Sequence, residues 1–105
     1  MASKLIIAPE AHADQRRIIA YISQELFNPE AATHLMANFI KQTIYLQDTP
    51  AMFPLMQETA FAAKGYRRMP IPESDYLAIY RIDEANKTVY VLRIFYARQN
   101  YATLL

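Results

Sequence analysis

Arginine and tyrosine are the residues in this chain best equipped for chemistry. Arg67, Arg68, Arg81, Arg93 and Arg98 are set into aliphatic and aromatic runs, in company with Tyr66, Tyr76, Tyr80, Tyr90, Tyr96 and Tyr101. A guanidinium presents a planar fork of donors that matches phosphate or carboxylate, and a phenol beside it can stack on a base or a peptide. Runs of Val, Ile and Tyr normally bury at least one face, so an arginine within one needs a partner or an exit to water. Repeated arginines on one small sheet predict a surface that meets something anionic. A structural role is the alternative for Arg81 and Arg93. Each would then pair with a carboxylate such as Asp83 or Glu58, or lay its stem over the core with its head in water. Arg98 differs, because it follows Tyr96 and opens the polar exit Arg98-Gln99-Asn100-Tyr101.

Other chemistries find little support. The single glycine, Gly65, leaves no glycine-rich phosphate loop and no dinucleotide fingerprint, so no cofactor is expected. His12 and His34 lie on different predicted helices without metal-ligand spacing, so no metal is expected either. Ser3, Ser23 and Ser74 sit in no nucleophile motif. The absence of cysteine excludes thiolate sites and disulfides and fits a reducing compartment. Met36, Met52, Met56 and Met69 read as core filler, and Arg16-Arg17 as a solvated face.

The chain has 105 residues, 53% of them hydrophobic and 20% charged, which suits one folded domain spanning residues 1–105. No apolar stretch approaches the roughly 20 residues needed to cross a bilayer, and Leu5 to Ala8 is too short for a signal-peptide core. A cytoplasmic protein is expected. Net charge is +1. Residues 1–63 carry four Lys/Arg against six Asp/Glu, whereas residues 64–105 carry seven against four. That bias suits a local anionic contact better than tracking of a nucleic-acid backbone.

These side chains must be positioned by a small set of elements. Lys4 to Ala8 predicts a strand, ended by Pro9, whose fixed φ suits the first turn of a helix with Glu10 and Asp14 near its positive end. Ala11, Ile18, Ile19, Ile22 and Leu26 form the apolar stripe of that helix. Phe27-Asn28-Pro29-Glu30 is a break, with Asn28 as cap and Pro29 at the first helical position. A second helix of about 19 residues, roughly 28 Å long, follows through Leu35, Phe39, Thr43 and Leu46. The short link predicts an antiparallel helical hairpin. Residues 50–64 read as an irregular connection anchored by Met52, Phe53, Leu55 and Phe61. Three strands follow: Tyr66 to Ile71, Tyr76 to Ile82 and Thr88 to Ala97. Simple alternation puts Leu77, Ile79 and Arg81 on one face, and Val89, Val91, Arg93 and Phe95 on one face. The expected fold class is α+β: an N-terminal strand, a helical hairpin and a three-stranded antiparallel sheet, in the order β-α-α-β-β-β.

Three segments carry a family resemblance. Gly65-Tyr66-Arg67-Arg68, Tyr76-Leu77-Ala78-Ile79-Tyr80-Arg81-Ile82-Asp83 and Val89-Tyr90-Val91-Leu92-Arg93-Ile94-Phe95-Tyr96-Ala97-Arg98 closely resemble the C-terminal sheet of the RelE/ParE superfamily, toxins of type II toxin–antitoxin systems. The strand and helical hairpin before them fit as well. Membership implies a toxin of a plasmid-stabilisation type module, neutralised by a cognate antitoxin that lays a helix or strand across hairpin and sheet and covers the arginines. Target and antitoxin contacts would fall to Arg67, Arg68, Arg81, Arg93, Arg98 and Tyr96. RelE-like members cleave mRNA in the ribosomal A site; here that role would draw on Arg98, Tyr96, Arg67, Arg81 and Tyr101, with ribosome and mRNA as partners. ParE-like members poison DNA gyrase. RelE-like toxins typically carry an arginine after the tyrosine opening the third strand, where this chain has Leu77. The long hairpin Glu10 to Gln47 resembles ParE, so the resemblance implies a gyrase-directed binder. A toxin fold that keeps only antitoxin binding is a third reading.

Overall fold

Prolines set the boundaries of the N-terminal half. In the computed structural model, which describes residues 3–105, strand β1 (Lys4–Ile7) gives way to helix α1 (Pro9–Ala20) with Pro9 in its first turn. The helix widens into a π turn over Tyr21–Glu25, then breaks. Asn28 caps helix α2 (Pro29–Asp48), its side chain accepting from the Ala31 amide at 3.1 Å. A 3-10 turn (Pro50–Met52) and a short helix α3 (Thr59–Ala63) lie in the connection expected to be irregular. Strands β2 (Arg67–Pro70), β3 (Tyr76–Asp83) and β4 (Thr88–Tyr96) follow, and a 3-10 turn (Tyr101–Leu104) closes the chain. Of the expected anchors of the connection, Phe53 and Phe61 are half-buried, while Met52 and Leu55 are exposed.

The three C-terminal strands form the expected antiparallel meander, and β1 adds a fourth strand at the edge, giving the order β1-β4-β3-β2. β1 runs parallel to β4, with Lys4 opposite Thr88 and Ile7 opposite Val91. A parallel pair needs a long crossover, and the helical hairpin belongs to that connection. The two long helices cover one face, while α3 reaches the other through Phe61. Under the hairpin Ala11, Ile18, Ile22, Leu35, Phe39 and Leu46 pack on Met69, Ala78, Tyr80, Val89, Val91 and Ile94. Ile19 and Leu26, expected on the same stripe, are exposed. Ile19 lies about 100° round the helix from Ile18, and the π turn shifts the phase before Leu26 is reached. Among the described residues no helix is long and apolar enough to cross a membrane, and no group of three or more His, Cys, Asp and Glu side chains is placed to hold a metal.

Candidate interaction surface

On the face opposite the α1–α2 hairpin the arginines gather around a small apolar plug. Leu77, Ile79 and Phe95 are buried there beneath Met56, with Tyr66, Leu92 and Tyr101 packed against them. The register sets Arg68 and Arg93 on either side of Ile79, one on each neighbouring strand. Directly opposed residues share a face, and strands lie about 4.8 Å apart, so the two arginine backbones are about 10 Å from each other. Arg81 stands two residues along from Ile79 on the same side. Its guanidinium lies over the Tyr90 ring, 4.3 Å from the centroid. Arg68 Nε donates to Tyr101 Oη at 2.8 Å, and the Tyr101 ring stacks on Phe95 at 5.6 Å. Among the described residues neither Arg68 nor Arg81 pairs with a carboxylate. Asp83, a partner the sequence offered to Arg81, is engaged by the Asn86 amide and side chain at 3.2 and 2.8 Å, where it closes the β3–β4 turn. Those hydrogen bonds, led by the Asn86 side chain, hold its carboxyl below the ordinary aspartate value.

The face assignment of β4 differs from simple alternation. A bulge breaks the register between Ile79 and Tyr80: Tyr80 faces Val91 but Ile79 faces Arg93, so Leu92 is the extra residue. Val89 and Val91 therefore pack under the helices, and Arg93 and Phe95 turn to the opposite side.

Arg93 also has a partner that neither Asp83 nor Glu58 supplies. Asp14, 1% exposed on α1, accepts from Arg93 Nε at 2.8 Å and Nη2 at 3.2 Å, from the Ile94 amide at 2.8 Å and from Arg17 Nη2 at 2.9 Å. The geometry has a backbone cause. β1 ends at Ile7, opposite Val91, so the amide of Ile94 meets no strand beyond that point. A carboxylate from α1 takes its place. Burial alone would raise the Asp14 pKa, but the Arg93, Ile94 and Arg17 hydrogen bonds outweigh it and lower the value. The hydrogen bond to Asp14 in turn raises that of Arg93. From the sequence alone Asp14 is only a favourable charge near the positive end of α1. The available signal was its place on the stripe Ala11, Asp14, Ile18, Ile22, where a carboxylate in apolar company calls for a cation.

The remaining candidate residues lie elsewhere. Arg67 stands opposite Tyr80, and its Nη1 donates to the Phe53 carbonyl at 2.7 Å, while Tyr80 Oη donates to Pro50 O at 2.7 Å. Both side chains secure the connection after α2. Tyr96 stands opposite Tyr76 on the helix side, and Arg98 lies past the strand end, 3.5 Å from Asp75 with its side chain 72% exposed. The structure thus brings Arg68, Arg81, Arg93 and Tyr101 to one face and leaves Arg67, Tyr96 and Arg98 off it. A pair as exposed as Arg98–Asp75 contributes little. Arg98→Ala is expected to change unfolding free energy by less than about 0.5 kcal/mol, measured by urea titration.

This geometry has relatives. The profile of the family described as "ParE toxin of type II toxin-antitoxin system, parDE" matches residues 5–101. The chain belongs to the ParE toxin family. Among solved structures it resembles the chromosomal ParDE TA system from P. aeruginosa, with a TM-score of 0.74 and 21% identity over 92% of this chain and 98% of that one. It also resembles the intact E. coli RelBE toxin-antitoxin complex, at TM-score 0.61 and 14% identity over 93% and 100% of the two chains. The RelBE2 toxin-antitoxin complex from Mycobacterium tuberculosis follows at TM-score 0.59 and 15% identity over 91% and 99%. At these identities the likeness is one of fold. No curated sequence matches. As a ParE family member the chain is a type II toxin built on the RelE/ParE fold.

Proposed function

We propose that this toxin is held inactive by a cognate antitoxin and, once released in the cytoplasm, acts on DNA gyrase as a binder, holding the enzyme while its DNA is broken. The observation behind this reading is the division of the groups that RNA cleavage would need. Cutting RNA through its 2′-OH takes a base, a donor for the leaving oxygen and cations around one phosphate, all within reach of each other. Tyr96 meets Tyr76 on the helix side with Arg98 just past the strand end, Arg67 is tied to the Phe53 carbonyl, and Arg81 and Tyr101 lie on the opposite face. Leu77, where RelE-like toxins carry a cation, is fully buried. What remains is a contact surface: Arg68 and Arg81 beside the Ile79 plug, with aromatic rings to orient them. An antitoxin would silence it by covering those guanidiniums.

The test adds purified protein to gyrase and relaxed plasmid. The expected result is loss of supercoiling with accumulation of cleaved DNA, reversed by antitoxin. Unimpaired gyrase, together with transcripts cut at ribosomal A sites in a translating extract, would replace this reading with ribosome-dependent nuclease activity. Normal growth on expression without antitoxin would leave only the antitoxin-binding module.

A further inference from the structure

Opposite the arginine face, at the tip of the helical hairpin, lies a groove of about 720 Å³. It has aromatic walls. Tyr76 and Tyr96 meet edge to face, centroids 5.6 Å apart and planes at 69°, and form a corner. Tyr21, on the π turn, faces them across the opening. Burial raises the Tyr76 pKa, and nearby Tyr21, Tyr96 and Asp75 raise it further, so electron-rich groups converge on one spot. The floor is apolar, made by Ile22 and Leu35, and continues onto exposed Leu26. The far bank is acidic. Glu73, in the left-handed region at φ 59°, reaches His34 at 2.9 Å and ties α2 to the β2–β3 turn, while Asp75 stays 57% exposed at the mouth.

We propose that this groove receives an arginine or lysine side chain carried on an apolar segment of the antitoxin, a step that rests on the antitoxin reading above. The exposed tyrosine faces attract a cation through their ring quadrupoles, and a carboxylate at the edge supplies a charge-assisted hydrogen bond. An acidic segment would meet Glu73 and Asp75 and be repelled; a purely apolar one would strip water from Asp75 without return. Asp75 already draws a guanidinium. Arg98 approaches it at 3.5 Å, the longest ion pair among the described residues and one with both ends in solvent, so an incoming cation displaces little. The apolar floor accepts the side chains that flank the cation on an amphipathic helix or strand.

The test titrates the antitoxin encoded beside this gene into wild-type protein, Asp75→Asn and Tyr96→Leu by calorimetry, after melting curves confirm that the variants fold. Affinity is expected to fall about tenfold for Asp75→Asn and about fivefold for Tyr96→Leu. Asp75→Lys should bind more weakly still, and one Lys- or Arg-to-Glu exchange in the antitoxin should restore it. Wild-type affinity in both variants, or no restoring exchange among the antitoxin's cations, would overturn the cation site while leaving the antitoxin reading intact. Failure of the wild type to bind the antitoxin at all would overturn both.

Discussion

Asp14→Ala is expected to lower the unfolding free energy by about 3–5 kcal/mol, the range for removing one partner of a buried ion pair. The loss exceeds that of a surface pair because several groups are stranded together. Arg93, with only 25% of its side chain exposed, keeps its charge without its counterion, and the Ile94 amide loses its acceptor at the point where β1 has ended. Asp14→Asn keeps an oxygen for that amide and should lose less. Urea titration at neutral pH measures both. The pH dependence has a definite sign. Because the folded-state pKa of Asp14 is depressed, the unfolded chain binds the proton more readily. The contribution of Asp14 is therefore complete above the ordinary aspartate pKa of about 3.9 and is lost as pH falls through the lower folded value. Wild-type stability should drop on that acid limb, and Asp14→Ala should show a shallower drop. A loss below about 1 kcal/mol at neutral pH would show that water replaces the carboxylate at the sheet edge.

On the gyrase reading proposed above, Arg68→Ala combined with Arg81→Ala is expected to weaken inhibition at least about a hundredfold while leaving the fold in place. Hydrogen bonds to charged groups contribute about 1.5–3 kcal/mol each, and two lost at one interface reach that factor. The cost to the fold is smaller. Arg68 gives up a part-exposed charge-assisted hydrogen bond to Tyr101, about 1.5 kcal/mol, and Arg81 its stacking on Tyr90, about 0.5–1 kcal/mol. Inhibition constants read beside melting curves separate contact from scaffold. Lysines at both positions should restore little, because an ammonium lacks the planar fork and the ring stacking. Full inhibition by the double alanine variant would remove the arginine face from the gyrase interface.

How much of this is legible in the sequence depends on the range of the interaction concerned. Local rules sufficed at Pro9, at Asn28-Pro29 and at the β3–β4 turn, and the strand limits fell within a residue or two of expectation. Alternation also placed Leu77, Ile79 and Arg81 together correctly, since β3 runs through its pairs on one unbroken phase. It failed on β4, because no glycine or asparagine announces a bulge at Leu92. It failed again for Arg93, whose carboxylate lies 79 residues away in the chain.

The order of elements, the helix-hairpin and sheet architecture, and the presence of surplus guanidiniums follow from the amino-acid sequence alone, because periodicity, capping and proline act within a turn or a strand. Which arginines are tethered and which stay available was decided only in three dimensions. β1 stops at Ile7, α1 lends Asp14 to the open edge of β4, and β4 shifts phase to meet it. Those events couple residues at opposite ends of the chain, and such distant contacts leave no local pattern for a sequence to display.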